Sequence, residues 1–154
     1  MTQVYNRSRF DLLFREHVEL ATRHRTALSL LLVDLDDFKL VNDQYGHQVG
    51  DHVLQKAAHL LSDQVASEGI VARWGGEEFA VLLPYYPQDK AVSLAQSLLI
   101  ALEKTSFEEQ DIHITMSVGV AELGEGESAS ALLKRADAAL YGAKDKGRNR
   151  VIPA

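Results

Sequence analysis

The feature that most constrains this fold is a short, predominantly apolar run from Leu28 to Val33, which stops abruptly at acidic residues. Such a run between polar positions is typical of a strand that is buried on both faces, because each face of the strand then needs apolar contacts. A strand of this kind lies inside a sheet that has helices packed against it. The run therefore predicts a mixed α/β protein.

Helical periodicity surrounds this strand. Ser8 has the position of an N-terminal cap for a first amphipathic helix, and Asp51 is placed to cap a second one. A third amphipathic helix is predicted over residues 89–103. The pattern over residues 132–143 predicts a long final helix, which Gly147 would end.

Three further strands are predicted. Ile70–Trp74 and Glu77–Leu83 are joined by Gly75-Gly76, a pair that readily takes the positive φ values of a tight hairpin turn. Apolar residues alternate from Ile112 to Val120, as in a half-buried strand. The order α, β, α, β-hairpin, α, β, α favours a central, mostly antiparallel sheet flanked by helices.

Composition excludes several kinds of site and partner. The 154-residue chain has no cysteine, so any metal must be held by oxygen or imidazole ligands. A net charge of -6 argues against a general nucleic-acid or anionic-membrane surface. No apolar stretch approaches the roughly 20 residues of a membrane-spanning helix, and no signal-peptide pattern is present. We expect one soluble, cytoplasmic domain over residues 1–154, alone or as the cytoplasmic part of a membrane or sensor protein.

Acidic residues gather at two predicted strand ends. Asp34, Asp36 and Asp37 follow the buried run, and Glu77 and Glu78 follow the glycine pair. Like charges 4 Å apart repel by roughly 4 kcal/mol at an effective dielectric near 20, so a cluster would need bound cations or raised pKa values. Magnesium is the expected cation. Simple solvation of the strand ends stays open for the second and third aspartates, and it is disfavoured for the first and for Glu77, which adjoin apolar runs.

Five motifs together resemble the GGDEF family of diguanylate cyclases. Residues 73–79 are similar to its signature in the GGEEF form, and residues 33–43 are similar to its metal and nucleotide segment. Residues 45–47, 50–51 and 136–149 follow in the family's order and spacing. The resemblance covers essentially the whole chain. It implies the ferredoxin-like palm fold of nucleotide cyclases and the condensation of two GTP molecules into cyclic di-GMP, with two pyrophosphates released.

The resemblance also implies a catalytic centre. Asp34 and Glu77 would hold two Mg²⁺ or Mn²⁺ ions, with help from the backbone carbonyl of Leu35, and Glu78 would complete the coordination. All of these are hard oxygen ligands. One of the two glutamates would help to deprotonate the attacking 3′-hydroxyl, and the sequence does not say which.

Substrate contacts are implied for ten further positions. They are Phe38, Lys39, Asn42, His47, Asp51, Leu54, Gly75, Gly76, Lys144 and Arg148. The amide and carboxylate at 42 and 51 would read the guanine edge, and the backbone at 38 and 39 would cradle phosphates. The two cations near the C-terminus would balance phosphate charge. The glycine pair would let the backbone pass close to the substrate.

Several of these positions keep an alternative reading. Asp51 is also a possible helix cap, Leu54 a core residue and His47 a support for the loop before residue 50. Lys144 and Arg148 are also placed as cations at a helix C-terminus. The Gly-Gly pair is also a plain turn.

Two departures from the family pattern carry expectations about control. The family's product-inhibition motif, Arg-x-x-Asp, would fall at residues 66–69, which read Ala-Ser-Glu-Gly. Residues 1–7 resemble the family's opening motif with its first residues missing and Gln3 in place of glycine. We therefore expect no feedback through that site and an upstream sensor or dimerisation module. Because one domain would hold one GTP, catalysis would need a homodimer.

Two other kinds of protein share parts of this pattern. A GTP-binding regulatory module would keep Asn42 and Asp51 but lose a metal carboxylate, whereas Asp34, Glu77 and Glu78 are all present. A cyclase that acts within a single nucleoside triphosphate would share the two-metal chemistry. The guanine-reading residues and the GGEEF turn favour the dinucleotide product.

Overall fold

The computed structural model describes residues 4–107 and 111–154. In chain order the helices are α1 Arg7–His24, α2 Phe38–Tyr45, α3 His47–Val65, α4 Gln88–Glu103 and α5 Ala129–Asp145, with a 3₁₀ turn at Ala66–Glu68. The strands are β1 Leu28–Leu35, β2 Ile70–Arg73, β3 Glu78–Pro84, β4 Met116–Glu122 and β5 Arg150–Pro153.

The strands form one sheet in the order β2-β3-β1-β4-β5. All neighbouring pairs are antiparallel except β4 and β5, which run parallel. Every residue of the central strand β1 is buried. The predicted fold class, a mostly antiparallel sheet flanked by helices, is confirmed.

Each face of the sheet has its own core. The alternation along β1 directs Leu31 and Val33 toward the layer formed by α2, α3 and α4. Leu30 and Leu32 pack on the other face, against α1 and α5. Two apolar layers explain why the sequence of β1 lacks the polar alternation of a half-exposed strand. No helix in the described part of the chain is long and apolar enough to cross a membrane.

Two predicted caps are wrong. The side chain of Asn6, rather than that of Ser8, accepts the capping hydrogen bond from the backbone N–H of Arg9. Helix α3 begins at His47, so Asp51 lies within the helix and does not cap it. By contrast, Gly147 follows the end of α5 with φ of 116°, as predicted for a glycine that ends a helix.

Strand boundaries also differ from the prediction. Ile112 and Ile114 are buried in the core but precede β4, so their alternation reflects burial without ladder pairing. The predicted two-residue turn would require positive φ at Gly75 and Gly76, and neither glycine has it. The backbone N–H of Trp74 donates to the carbonyl of Glu78 at 2.8 Å, which leaves a longer turn. The predicted opening-motif residues Met1–Gln3 lie outside the described residues.

Candidate functional site

The tip of β1 and the start of β3 bring three acidic residues to one edge of the sheet. Asp34 lies opposite Glu78 in the antiparallel register, and the backbone N–H of Leu35 donates to the carbonyl of Glu77 at 3.1 Å. We call Asp34, Glu77 and Glu78 the acidic edge. Glu78, rather than Glu77, shares the strand face of Asp34, because directly paired residues project to the same side. Glu77 precedes the strand and is partly buried.

A lysine from the last turn of α5 reaches this edge. The Lys144 ammonium donates to the Asp34 carboxylate at 2.5 Å, and the Asp34 side chain is only 9% exposed. Burial raises the pKa of Asp34, and although Lys144 opposes this rise, the nearby charges of Glu77 and Glu78 add to it. Burial tends to lower the pKa of Lys144, but its hydrogen bond to Asp34 and the three acidic charges raise that pKa overall. Both directions mean that this edge favours additional positive charge.

The donor set at the acidic edge suits a divalent cation. Carboxylates with an adjacent backbone carbonyl are the oxygen ligands that Mg²⁺ and Mn²⁺ prefer. In residues 4–107 and 111–154, no three His, Asp or Glu side chains converge into a ready-made metal site. Instead, one cation, the Lys144 ammonium, already lies against Asp34. The position of this ammonium demonstrates that the edge accommodates a positive group.

The other two aspartates of the predicted cluster have different surroundings. Asp36 is 7% exposed and accepts hydrogen bonds from the hydroxyls of Thr115 and Ser117, both at 2.7 Å. It also accepts one from the backbone N–H of Asn149 at 3.0 Å. Asp37 is exposed, has φ of 53° and lies 3.8 Å from the guanidinium of Arg148. The three aspartates at the end of β1 therefore differ: Asp34 belongs to the acidic edge, Asp36 is buried and hydrogen-bonded, and Asp37 forms a surface ion pair.

Helices α2 and α3 bring the predicted guanine-reading residues to neighbouring positions. A Cβ added to Gly50 would lie 1.8 Å from the side-chain oxygen of Asn42, so this glycine allows the Asn42 amide to pack directly on α3. Asp51, the next residue, is exposed. The sequence prediction gave Gly50 no role of its own, although a glycine directly before Asp51 indicates a close approach at this position.

The remaining predicted residues on these helices are spread between core and surface. Phe38 begins α2 and is buried in the core, whereas Lys39 is exposed. Leu54 is also buried, which agrees with its core reading, and His47 is exposed at the start of α3. The exposed side chains of His47 and Lys39 are therefore available to a ligand. Phe38 and Leu54 instead pack in the core, on the buried faces of α2 and α3.

An arginine braces the Gly-Gly turn. Arg73 donates to the carbonyl of Gly75 at 3.1 Å and to that of Gly76 at 2.6 and 3.1 Å. A Cβ at Gly76 would meet no atom within 4 Å, so the packing of the protein alone does not require glycine there. The ring of the neighbouring Trp74 packs edge-on against Phe10, with ring centroids 5.6 Å apart. Sequence reasoning missed Arg73 as a support for this turn.

Comparison with known proteins gives a consistent match. Residues 1–150 match the family described as "Diguanylate cyclase, GGDEF domain". Diguanylate cyclase DgcM of Escherichia coli K12 is 42% identical over 158 residues, which cover the whole of this chain. The chain spans only 37% of the length of DgcM.

Solved structures are similar over nearly the whole chain. The active GGEEF domain of a diguanylate cyclase from Vibrio cholerae superposes with a TM-score of 0.94 at 37% identity, over 98% of this chain and 97% of that one. The coiled coil and GGDEF domain of DgcB from Caulobacter crescentus, solved in complex with c-di-GMP, gives 0.93 at 33% identity, over 99% of this chain and 83% of that one.

Proposed function

The chain belongs to the GGDEF family, and on that premise we propose that it is a diguanylate cyclase domain that joins two GTP molecules into cyclic di-GMP and releases two pyrophosphates. The observation that carries the proposal is the acidic edge beside the Gly-Gly turn. The Lys144 ammonium contacts the Asp34 carboxylate with the charges of Glu77 and Glu78 nearby, and the pKa values of both members of the Asp34–Lys144 pair are raised. A site with surplus negative charge suits a metal-bound triphosphate.

Two divalent cations, Mg²⁺ or Mn²⁺, complete the proposed active site. Asp34, Glu77 and Glu78 would hold them through carboxylates, and Leu35 through its backbone carbonyl. When bound, such ions lower the pKa of an attacking hydroxyl and neutralise the charge that develops on the phosphate. One of the two glutamates would accept the proton of the 3′-hydroxyl.

The substrate would lie across the acidic edge between α2, α3 and the end of α5. Asn42 and Asp51 would read the guanine edge, and Leu54 would lie beneath the base. Near the phosphates we place Lys144 and Arg148, together with the backbone around Phe38 and Lys39. Gly75 and Gly76 would leave room for the substrate, and His47 would border it. The proximity of Asn42 to Gly50 and the open space at Gly76 support this placement.

Each reaction would involve two copies of the domain. The 3′-hydroxyl of one GTP must reach the α-phosphorus of another in line with the departing pyrophosphate, so two domains would face each other as a homodimer. An upstream module would control that encounter. The DgcB structure, which contains a coiled coil with its GGDEF domain, supports this arrangement. With GTP as substrate, we place the domain in the cytoplasm, and the Ala-Ser-Glu-Gly sequence at residues 66–69 would leave it without Arg-x-x-Asp feedback.

Product analysis tests the proposal directly. The domain would be fused to a dimeric coiled coil, incubated with GTP and Mg²⁺, and its products separated by chromatography. We expect cyclic di-GMP and pyrophosphate from the unmodified domain and from Glu16→Gln, which changes an exposed residue of α1. Glu77→Gln should abolish turnover and keep the fold, as judged by circular dichroism.

Other products would identify other functions. Cyclic GMP from the enforced dimer would indicate a cyclase that acts within one nucleotide. GTP binding without turnover would indicate a regulatory module. Full activity of Glu77→Gln would remove that residue from the active centre.

A further inference from the structure

Asp36 belongs to the acidic run at the end of β1 and has the contacts of a structural clamp. Its carboxylate accepts three hydrogen bonds, from Thr115, Ser117 and the backbone of Asn149. Its own backbone N–H donates to the carbonyl of Thr115 at 2.9 Å. Fixed donors therefore satisfy both oxygens of this buried carboxylate.

One of these bonds holds an unusual stretch of backbone. Gly147, Arg148 and Asn149 have φ values of 116°, 65° and 47°. Positive φ is uncommon outside glycine, so two consecutive such residues persist only where surrounding contacts hold them. The Asn149 N–H donates to Asp36 at 3.0 Å, and the Arg148 N–H donates to the carbonyl of Ala143 at 2.9 Å.

This stretch carries Arg148. The side chain of Asn149 donates to Glu103 at 3.0 Å, and the guanidinium of Arg148 lies 3.8 Å from Asp37. Both of those partners are exposed, whereas Asp36 is buried. Asp36 is therefore a buried side chain that restrains the backbone presenting Arg148, together with the backbone bond from the Arg148 N–H to buried Ala143.

We propose that Asp36 is a positioning residue that fixes the Gly147–Asn149 backbone and thereby holds Arg148 in place for the phosphates of the nucleotide. The consequence for nucleotide binding rests on the proposed function. The clamp itself is a property of the substrate-free protein. Asp36 would therefore act on phosphate affinity through Arg148.

Hydrogen exchange of the substrate-free domain tests the clamp alone. In Asp36→Asn, the amide that replaces one carboxylate oxygen cannot accept a hydrogen bond, and the remaining bonds lose their ionic character. We expect exchange of the amides at 147–149 to rise about tenfold, while exchange in the middle of α5 is unchanged. Asp63→Asn, an exposed change on α3, is the matched control. Unchanged exchange at Asn149 in Asp36→Asn would overturn the proposal.

A double-mutant cycle tests the route through Arg148. Dissociation constants for a non-reactive GTP analogue would be measured with Mg²⁺ for Asp36→Asn, Arg148→Ala and the double variant. We expect Asp36→Asn to weaken binding about tenfold when Arg148 is present and by much less when it is absent. Equal weakening in both backgrounds would contradict a role through Arg148.

The clamp can still be tested if Asp36→Asn does not fold or if the domain makes no cyclic di-GMP. If Asp36→Asn does not fold, Ser117→Ala removes a single donor and should raise exchange at 147–149 by a smaller factor; no rise would count against the clamp. If the unmodified domain makes no cyclic di-GMP, the proposed function fails, and the exchange experiment still decides the clamp.

Discussion

Helix α5 carries one acid–cation pair near each end, and the two pairs differ in what they do for the protein. Near its start, Arg135 donates to both carboxylate oxygens of Glu127 at 2.7 Å and also to the backbone carbonyl of Glu122. Near its end, Lys144 donates to one oxygen of Asp34 at 2.5 Å. One pair is a two-pronged guanidinium contact, and the other is a single ammonium contact.

The pKa values of the two acids, Glu127 and Asp34, are shifted in opposite directions. Hydrogen bonds from Arg135 lower the pKa of Glu127, with burial opposing them and the N–H of Gly124 adding to them. Burial is the largest influence and raises the pKa of Asp34; Lys144 opposes this rise, and the negative charges of Glu77 and Glu78 add to it. The pair at the start of α5 is balanced and stabilises the fold, whereas the pair at its end retains surplus negative charge. This surplus is what a site for metal-bound substrate requires.

The largest expected effects come from replacing the acid of each pair, because one replacement should affect turnover and the other the free energy of unfolding. In Asp34→Asn we expect turnover to fall about a thousandfold or more, because a proposed metal ligand is lost. The free energy of unfolding should change by less than about 1 kcal/mol, because the burial of the carboxylate offsets its contact with the partly exposed Lys144, whose ammonium can still reach water. Product formation and urea unfolding measure the two effects.

Glu127→Gln is the matched change at the other pair. It should keep turnover near that of the unmodified domain and lower the free energy of unfolding by about 1–2 kcal/mol, because a charged hydrogen-bond acceptor is lost. If the two variants behave alike in either measurement, the distinction between the pairs is wrong.

Gly119 allows α5, the helix that carries both cations, to pack closely on β4. A Cβ at Gly119 on β4 would lie 2.3 Å from the carbonyl oxygen of Ala136 and 2.4 Å from the backbone nitrogen of Leu140. Gly119→Ala must therefore displace the helix, and we expect a loss of about 3 kcal/mol in the free energy of unfolding. Urea unfolding measures this loss.

Gly142 provides the control on the same helix. A Cβ there would meet no atom within 4 Å, so Gly142→Ala should raise the free energy of unfolding by about 0.5–1 kcal/mol through helix propensity. Equal stability of Gly119→Ala and the unmodified domain would mean that α5 is not seated as closely as the structure indicates.

Local sequence patterns predicted the parts of the fold that depend on neighbouring residues. Strand β1, the β2–β3 hairpin and helix α4 follow from periodicity, and α4 begins within one residue of its predicted start. Helix α2 was not predicted as an element. Strand β5 was also missed, because its four residues include arginine and proline and its pairing with β4 is long-range.

The site was predictable by residue identity and much less so by contact. Asp34 and Glu78 are directly paired between neighbouring strands and Glu77 adjoins them, but the three side chains do not converge into a metal site in the described residues, and their roles remain predictions. The bonds of Asp36 to residues 79, 81 and 113 positions away could not be read locally. Nor could the Lys144–Asp34 contact, which spans 110 positions.

The smallest expected effect is the pH dependence of the two pairs, measured by urea unfolding with EDTA present. The folded-state pKa of Glu127 is depressed, so its stabilisation is present above the unfolded value of about 4.3 and is lost as pH falls through the folded pKa. The stability gap between the unmodified domain and Glu127→Gln should therefore narrow as pH falls below that value.

The pH dependence of stability has the opposite sign for Asp34, because its folded-state pKa is raised. Its ionisation costs nothing below the unfolded value of about 3.9 and has its full cost above the folded pKa. Relative to the unmodified domain, Asp34→Asn should gain stability as pH rises from about 3.9 toward the folded pKa of Asp34, whereas Glu127→Gln should lose stability as pH rises toward about 4.3. We expect each change to stay below about 1 kcal/mol, because both acids keep a cationic partner and some exposure to water. Parallel pH curves for the two variants would show that the surroundings of Asp34 and Glu127 do not shift the two pKa values in opposite directions.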